Sequence, residues 1–306
     1  MNESQVKVNS PKAWLLATRP KTLSGAAVPV AIGIAAAVSA FGDSIRTLPA
    51  VLCMLFALVM QIDANLVNDY FDFMKGTDDE QRLGPKRACA QGWITAPAMR
   101  LGILLTTILA CIIGLPLVFY GGWEMVLIGL ACVVFCFLYT ISFSYIGLGD
   151  VLVLVFFGIV PVCLTYWLTA PESPLSSIPW QVVLLSVACG LVIDTLLIVN
   201  NYRDIDNDRR AGKLTLIVRI GARGGRILYL TLGFVAAIMA MCAITYFSWH
   251  NGKWAQMLVC IYATLHSSAF IEMRRINKGA GLNKVLGLTA LNIMVFGICV
   301  AIGLIL

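Results

Sequence analysis

The sequence has few charged residues for its length. Only 12% of its 306 residues are Asp, Glu, Lys or Arg, whereas about a quarter of the residues in a soluble domain are charged. Stretches that alternate polar and apolar residues, as half-buried strands do, are also missing. Instead, 59% of the residues are hydrophobic and the mean hydropathy is +0.87. These features exclude a soluble domain and predict an all-α membrane protein.

Histidine is scarce, and cysteine is not arranged as a metal or disulfide framework. The chain has 2 histidines and 10 cysteines, but no Cys-x-x-Cys pair and no Cys and His at the spacing of metal ligands. All the cysteines except Cys89 lie in apolar segments, where a thiol packs like a small apolar side chain. We therefore interpret them as packing residues.

Nine apolar segments are long enough to cross a bilayer, which takes roughly 17 to 25 residues. Their approximate bounds are 23–41, 48–70, 97–120, 123–143, 150–170, 178–200, 227–248, 254–271 and 285–306. They predict nine transmembrane helices in a single domain, 1–306. Its first twelve residues, 1–12, form a polar tail that lacks the apolar core of a cleavable signal.

Basic residues are concentrated on one side of the predicted helices. Of the 22 Lys and Arg residues, 20 lie in the segments 1–22, 72–100, 201–226 and 272–284. Only Arg46 and Lys253 lie on the other side. Because basic loops stay in the cytoplasm, this distribution predicts a cytoplasmic N-terminus. The net charge of +6 then reflects membrane topology and does not indicate a nucleic-acid partner.

Polar residues interrupt the second apolar segment at NLVNDYFDF, residues 65–73. Asn65, Asn68, Asp69 and Asp72 have the i, i+3, i+4, i+7 spacing, so they share one face of a helix. At membrane depth such a face needs a partner that is neither water nor lipid, and it is typical of a functional site.

A second polar face ends the sixth apolar segment at NNYRDIDND, residues 200–208. Asn200, Asp204 and Asp208 have i, i+4, i+8 spacing and also share one face. The first five residues, NNYRD, align with NDYFD at 68–72. Because the two motifs lie four helices apart, they predict two four-helix pseudo-repeats plus one helix around a central cavity.

Two carboxylate clusters on the same side of a membrane favour a divalent cation. Ligand sets made only of oxygen suit Mg²⁺, Mn²⁺ or Ca²⁺, and Mg²⁺ usually completes its shell with water and substrate phosphates. Basic residues accompany both clusters, namely Lys75, Lys86, Arg87, Arg203, Lys213 and Arg219. Acidic residues for a metal together with cations for phosphate predict a site from which a diphosphate departs.

The residues alone leave two questions open. Acidic residues in two repeated helical halves also occur in ion-coupled transporters, although transporter sites lie near the midplane and these motifs continue into basic loops. Asp63 and Asp194 lie deeper in the same two helices. They either line the central cavity or pair with a buried cation.

Four stretches occur in an order that resembles a known family. They are RPKTL at 19–23, NDYFDFMKGTD at 68–78 running into GPKR at 84–87, YIGLGDVLVLVFFG at 145–158, and NNYRDIDNDRRAGKLTLIVRIG at 200–221. They resemble the UbiA superfamily of intramembrane aromatic prenyltransferases, and within it the 1,4-dihydroxy-2-naphthoate polyprenyltransferases. The resemblance extends from residue 14 to about 225, and the last three helices agree in hydropathy only.

The resemblance implies a set of metal ligands. The family's first acidic motif usually ends with an Asp where this chain has Gly76, and Asp78 lies two residues later, as in the naphthoate branch. The implied Mg²⁺ ligands are Asn68, Asp72, Asp78, Asn200, Asp204 and Asp208.

Other positions acquire roles from the same resemblance. Lys213 and Arg219 match basic positions that bind diphosphate, and Tyr139 resembles an aromatic residue placed near the allylic carbon. Arg19 and Lys21 match the N-terminal basic motif and are candidates for binding the carboxylate of an aromatic acid. The predicted catalytic residues are Asp72, Asp204, Lys213 and Tyr139.

The activity implied by the resemblance is the transfer of a polyprenyl group from a prenyl diphosphate to 1,4-dihydroxy-2-naphthoate. Diphosphate and CO₂ are lost and demethylmenaquinone forms, as a step of menaquinone biosynthesis. The implied cofactor is Mg²⁺ and the implied location is the cytoplasmic (inner) membrane of a bacterium. The implied partners are the two substrates and the lipid bilayer. Another aromatic acid, such as 4-hydroxybenzoate, is the alternative acceptor.

Overall fold

The structure is a computed structural model that describes residues 6–76, 83–171, 174–247 and 252–305. Every regular element within these ranges is helical, as predicted. The α-helices, numbered in chain order, are α1 Pro11–Ala17, α2 Ser24–Phe41, α3 Thr47–Met74, α4 Ala96–Gly114, α5 Val118–Gly121, α6 Glu124–Leu138, α7 Gly149–Leu154, α8 Val160–Thr169, α9 Trp180–Arg203, α10 Ile205–Arg210, α11 Leu216–Phe247, α12 Gly252–Ile276 and α13 Asn283–Ile305.

Within the described ranges, 8 helices are long and apolar enough to cross a membrane. They are Ser24–Ser44, Thr47–Met74, Ala96–Gly121, Glu124–Phe143, Gly149–Thr169, Trp180–Arg203, Leu216–Phe247 and Ala280–Ile305. The remaining predicted span, 254–271, falls in α12, which has 25 residues. Because α12 contains Gln256, His266 and Glu272, it is less apolar than the others. The predicted number of nine is therefore not confirmed.

One turn of π-helix ends a membrane span, and a second lies inside another span. Residues Tyr139–Phe143 follow α6, and Val155–Ile159 separate α7 from α8. Pro161 is the second residue of α8, and a missing N–H is tolerated in the first turn of a helix. Such wide turns are frequent at functional sites.

Helix α9 is the central element of the fold. In its apolar window 67% of the residues are buried, the largest fraction among the 8 candidate spans, and α9 contacts α2, α7, α8, α11 and α13. Glycines allow the closest approach: a Cβ on Gly158 would lie 2.6 Å from the Ser186 carbonyl oxygen, and a Cβ on Gly190 would lie 3.0 Å from that of Leu154. This packing fixes the register of α9 against the segment 149–159.

The deep carboxylate of Asp63 is satisfied by α4. It is fully buried, and its two oxygens accept hydrogen bonds from the hydroxyls of Thr106 at 2.5 Å and Thr107 at 2.9 Å. A buried carboxylate without such donors would cost several kcal/mol. The interaction therefore fixes α3 against α4, and in this structure the partners of Asp63 are hydroxyls and not a cation.

Candidate active site

Asp72, near the end of α3, forms an ion pair with Arg87. Arg87 Nη2 lies 2.9 Å from Asp72 Oδ2, and the exposed fractions of the two side chains are 7% and 22%. The buried guanidinium therefore holds the carboxylate in place, while part of the Asp72 side chain stays accessible. This pair connects α3 to the loop that precedes α4.

Asp69 stabilises the loop that precedes α4. Its carboxylate is buried, and its oxygens accept hydrogen bonds from the backbone N–H groups of Ala88 and Cys89, both at 2.8 Å. A carboxylate that accepts two backbone N–H groups ties the loop to α3 by charge-assisted hydrogen bonds. Arg87, next to these residues, is positioned by Asp69.

Asn65 performs a similar role for the N-terminal segment. Its Nδ2 donates to the carbonyl oxygen of Thr18 and to Oγ1 of Thr22, each at 2.9 Å. These residues enclose Arg19, which has a φ of 51° and starts the turn Pro20–Thr22. Two members of the first polar face thus bind protein groups rather than a ligand.

The other members of this face lie against the first π-turn. Asn68 Oδ1 accepts a hydrogen bond from the hydroxyl of Thr140. Lys75 Nζ donates to the carbonyl oxygens of Thr140 at 3.2 Å and Ile141 at 2.7 Å. The end of α3 therefore holds the turn that carries Tyr139.

Arg203 organises the second acidic motif. It is buried, and its guanidinium donates to both oxygens of Asp204, at 2.8 and 2.5 Å. It also donates to Oδ1 of Asn200 at 3.0 Å and to Oδ1 of Asn283 at 2.7 Å. Arg203, a predicted diphosphate ligand, thus binds the predicted metal ligands Asn200 and Asp204 in this structure.

Asp208 and Lys213 form a looser pair in a partly buried environment. Lys213 Nζ lies 3.8 Å from Asp208 Oδ1. Burial raises the pKa of Asp208 to about 6, an effect that Lys213 opposes and the charges of Asp204 and Asp72 reinforce. The influence of Asp72 shows that the two motifs share one electrostatic environment.

Tyr145 lies between cations that follow the two motifs. Lys75 Nζ is 4.0 Å from the centre of the Tyr145 ring, and Lys213 Nζ is 5.9 Å from it, distances typical of cation–π contacts. Burial lowers the pKa of Lys75, which the charge of Asp72 opposes and that of Lys213 reinforces. The fold therefore brings Lys75 and Lys213 to one place.

The oxygens of the two motifs are suitable for a divalent cation. Asp208 Oδ2 is buried without a hydrogen-bond partner among the described residues, and a buried carboxylate oxygen of this kind favours a cation. The described ranges contain no cluster of three His, Cys, Asp or Glu side chains able to hold a metal. Mg²⁺ would therefore need amide, water or phosphate oxygens as further ligands, as it usually does. Asp78 lies outside the described residues.

The remaining predicted cations lie around this site. Lys21 and Lys86 are exposed, and Arg19 is half-buried. Arg219 joins two loops, because its guanidinium donates to the carbonyl oxygens of Leu214 at 3.2 Å and Ile146 at 2.8 Å.

Tyr139 lines a small cavity next to the second motif. The other lining residues are Ser144, Gly147, Gly149, Asp150, Asn201, Lys213 and Thr215. A Cβ on Gly149 would lie 3.5 Å from Cε2 of Tyr139, so this position leaves little space beside the ring. The cavity thus combines an aromatic ring, a carboxylate and a lysine.

Sequence reasoning missed several residues of the site. Thr140 contacts the predicted metal ligand Asn68, and Asn283 binds Arg203. Tyr145 lies between two predicted diphosphate ligands. The only available signal was the stretch YIGLGDVLVLVFFG, which contains Tyr145 and Asp150. Asn283 lies 80 residues from its partner Arg203, and no local pattern predicts such a contact.

Comparisons of the sequence agree on one family. The model of the UbiA prenyltransferase family matches residues 26–293. A 1,4-dihydroxy-2-naphthoate octaprenyltransferase from Escherichia coli K12 is 33% identical over 286 residues, which cover 90% of this chain and 89% of that protein. The Haemophilus influenzae protein of the same name is 35% identical over 251 residues, covering 78% and 80%. The family resemblance predicted from the four stretches is confirmed.

Solved structures show the same fold. The apo structure of a UbiA homologue from Aeropyrum pernix K1 matches with a TM-score of 0.67 and 14% identity, covering 92% of this chain and 96% of that one. A UbiA homologue from Archaeoglobus fulgidus bound to GPP and Mg²⁺ matches with a TM-score of 0.61 and 16% identity, covering 94% and 99%. The arrangement of helices described above is therefore a UbiA fold.

Proposed function

The chain belongs to the UbiA prenyltransferase family, and on this basis we propose that it transfers a polyprenyl group from a prenyl diphosphate to 1,4-dihydroxy-2-naphthoate. Diphosphate and CO₂ leave, and demethylmenaquinone forms. The observation that carries the proposal is the 33% identity over 90% of the chain to a curated naphthoate octaprenyltransferase. The proximity of Lys75 and Lys213, which follow the two acidic motifs and both lie near the Tyr145 ring, is consistent with it.

The diphosphate end of the donor would bind where the motifs meet. Asn68, Asp72 and Asp78 on one side, and Asn200, Asp204 and Asp208 on the other, would hold Mg²⁺. When bound there, Mg²⁺ supplies positive charge that neutralises the departing diphosphate. Support for a metal comes from the buried, unpartnered oxygen of Asp208 and from the Mg²⁺ found with GPP in the Archaeoglobus homologue.

Basic side chains would complete the diphosphate site. Lys75 and Lys213 meet at Tyr145, and both carry flexible ammonium groups that can turn toward phosphate oxygens. Arg219, Lys86 and Arg87 would add charge at the same rim. Arg203 would act indirectly, because its guanidinium holds Asp204. Fixed cations of this kind stabilise the charge that develops as the C–O bond breaks.

Ionisation leaves an allylic cation that must be kept from water. Tyr139 would offer its ring face to this cation, and the helices around it would exclude solvent. Phe135 packs against Phe143 and Phe156 with ring centres 5.8 and 5.0 Å apart, so the neighbouring surface is apolar. We infer that the first isoprene units of the donor lie along this aromatic surface.

The aromatic acid would approach through its carboxylate. Arg19 and Lys21 lie on the segment that Asn65 fixes to α3, and a carboxylate that enters a low-dielectric site needs such cations. The ring carbon that bears the carboxylate then attacks the allylic cation. Loss of CO₂ restores the aromatic ring, and the prenyl group takes the position of the carboxylate.

We extend the proposal to the membrane arrangement. The chain would form one transmembrane domain, 1–306, with two four-helix pseudo-repeats, and α12 would be the ninth span. The N-terminus and the basic loops would lie in the cytoplasm, and the host membrane would be the bacterial inner membrane. This arrangement places both acidic motifs at the cytoplasmic rim and the apolar tail in the bilayer.

The test is a direct assay of the purified protein. The protein in detergent or nanodiscs would be incubated with Mg²⁺, a labelled prenyl diphosphate and separate aromatic acids. We expect labelled demethylmenaquinone with 1,4-dihydroxy-2-naphthoate, one CO₂ released per product, and at least a hundredfold lower rate with 4-hydroxybenzoate. Efficient prenylation of 4-hydroxybenzoate instead would assign a different acceptor. No prenylation of any acid would overturn the proposed function.

A further inference from the structure

The antiparallel register of a close helix contact brings Asp150 of α7 opposite Asp194 of α9. Gly158 lies against Ser186, and Leu154 against Gly190. One helical turn further along the same antiparallel register, Asp150 comes opposite Asp194. The glycines at 158 and 190 bring the two backbones close enough for the carboxyl groups to approach each other.

Both carboxylates have an oxygen without a partner. The side chain of Asp194 is 5% exposed, and Oδ1 of Asp194 and Oδ1 of Asp150 are buried without hydrogen-bond partners among the described residues. Asp63, at the matching depth in α3, differs because two threonine hydroxyls satisfy it. Two neighbouring carboxylates with buried oxygens cannot both carry a charge at low cost, whereas a shared proton satisfies both.

Asp150 is the member of the pair that reaches the cavity of the candidate active site. This residue lines the small cavity together with Tyr139, Asn201 and Lys213. Asp194 is not among the lining residues and lies behind Asp150. A carboxylate in such a position can exchange a proton with a group in the cavity while a second carboxyl group holds its orientation.

We propose that Asp150 accepts the proton of the acceptor's ring hydroxyl as the ring attacks the allylic cation, and that Asp194 is the positioning residue that keeps Asp150 ready for this transfer. The inference rests on the proposed function. A ring oxygen that loses its proton donates more electron density to the ring carbon next to it, so the attack becomes faster. General base catalysis of this kind contributes typically 10²- to 10⁴-fold.

The proposed steps are balanced in protons and electrons. The O–H bond of the ring hydroxyl breaks, its proton moves to Asp150, and the oxygen becomes a ketone as the adjacent carbon forms the new C–C bond. The resulting β-keto carboxylate loses CO₂, and the electron pair of the broken C–C bond returns to that oxygen. The oxygen then takes the proton back from Asp150. The pair is thus restored at the end of each turnover.

Other titratable groups lie near the pair and determine what the experiment must control for. Tyr139 faces it from the π-turn after α6, and Lys213 faces it from the loop after α10. Because these groups serve ionisation of the donor in the proposed function, the test must separate ionisation from ring attack.

The experiment measures diphosphate release and prenylated product separately for Asp150→Asn and Asp194→Asn. We expect Asp150→Asn to lower product formation at least a hundredfold, with diphosphate release within about fivefold of wild type and prenyl alcohol as the organic product. Asp194→Asn, whose amide can still donate to Asp150, should lower product formation about tenfold. Asp206→Asn, an exposed carboxylate on α10, should leave both rates unchanged.

A more acidic acceptor distinguishes a base from a structural role. A ring-halogenated dihydroxynaphthoate has a more acidic hydroxyl. It should raise the rate of product formation by Asp150→Asn at least tenfold more than it raises the rate of the wild-type protein. Asp150→Glu, which keeps the carboxylate, should retain more product formation than Asp150→Asn. Equal loss of product and diphosphate without rescue, or an Asp150 variant that does not fold, would overturn the inference. A wild-type protein that releases diphosphate but prenylates no hydroxy acid would instead contradict the proposed function.

Discussion

Arg87 Nη2 lies 2.9 Å from Oδ2 of Asp72, across 15 residues of chain. The second acidic motif has the same relationship in another form, because Arg203 holds its neighbour Asp204 by two hydrogen bonds. Each of these predicted metal ligands is thus oriented by a buried guanidinium, which is 15 residues away for Asp72 and adjacent in sequence for Asp204. A planar guanidinium fixes the plane of a carboxylate better than an ammonium does.

Removal of a metal or of its ligands should abolish turnover. We expect EDTA to stop product formation and Mg²⁺ to restore it. Without the metal, no positive charge of this size compensates the negative charge of the leaving diphosphate. Asp72→Asn and Asp204→Asn should each lower kcat at least a hundredfold, with the protein still folded in detergent. Asp206→Asn is the matched control because its side chain is 68% exposed. Full activity in either motif variant would remove that residue from the metal site.

Substitution of the buried arginine of the second motif should destabilise the fold. Arg203→Gln leaves Asp204 and Asn283 without their guanidinium, and breaking a buried ion pair costs about 3–5 kcal/mol. Arg209→Gln is the control, since its pair with Asp206 is exposed and 3.7 Å long and is worth about 1 kcal/mol or less. Thermal unfolding in detergent measures both. A similar decrease of the unfolding temperature in the two variants would contradict the central role of Arg203.

Asp208→Asn should make the metal-free protein more stable at neutral pH. Its folded pKa of about 6 lies above the ordinary 3.8, so the ionised form is disfavoured in the fold. This penalty is absent below pH 4, grows as the pH rises to about 6, and amounts to about 3 kcal/mol at most above that. With EDTA we expect a higher unfolding temperature for the variant at pH 7.5 and little difference at pH 4.

Addition of Mg²⁺ provides the complementary measurement for Asp208. The ion should raise the unfolding temperature of the wild-type protein more than that of Asp208→Asn, because only a carboxylate attracts it strongly. A variant that is less stable than wild type in EDTA at pH 7.5, or that responds fully to Mg²⁺, would show that Asp208 is not a metal ligand.

Arg19 should affect the acceptor more than the donor. We expect Arg19→Ala to raise the apparent KM for dihydroxynaphthoate at least tenfold and that for the prenyl diphosphate less than twofold. Asn65→Ala should cause the same change in a weaker form, because Asn65 holds both residues that enclose Arg19. Lys12→Ala, an exposed lysine of α1, is the control. Equal effects on both substrates would assign Arg19 to the diphosphate site.

Labelling should reveal the orientation of the chain. In a variant without its natural cysteines, single cysteines at Arg46, Glu172 and Lys253 should react with a membrane-impermeant reagent in intact cells. A cysteine at Lys86 should react only after the membrane is opened, because its loop belongs to the basic side. Labelling of the cysteine at position 86 in intact cells would show that the chain has the opposite orientation.

The sequence predicted the helical class, the family and the first polar face, because hydropathy and spacing are local properties. The prediction that Asn200, Asp204 and Asp208 share one helix was wrong, because α9 ends at Arg203 and Asp204 lies between α9 and α10. The sequence also did not predict the partners of these polar residues. Asn65 and Asn68 share a helix face, yet Asn65 binds the N-terminal segment and Asn68 binds the π-turn. Periodicity gives the direction of a side chain, whereas its partners depend on segments far away in the chain.

Asp63 and Asp194 illustrate the same limit. They occupy matching places in two related motifs, and the sequence gives no reason to distinguish them. The structure places two threonine hydroxyls beside Asp63. The register of α7 against α9 brings Asp150 opposite Asp194. The matching positions in the two motifs therefore have different chemistry, because α4 supplies donors where α7 supplies an acid.

The hydrogen bonds from Thr106 and Thr107 to Asp63 also constrain how the chain enters the bilayer during synthesis. A lone aspartate near the middle of a helix opposes release from the translocon by about 2.5–3.5 kcal/mol. Helix α3 carries Asp63 and Asp69 on one stretch, and the donors that satisfy Asp63 are synthesised only with α4. The two helices should therefore leave the translocon together, as a hairpin already joined by these hydroxyls.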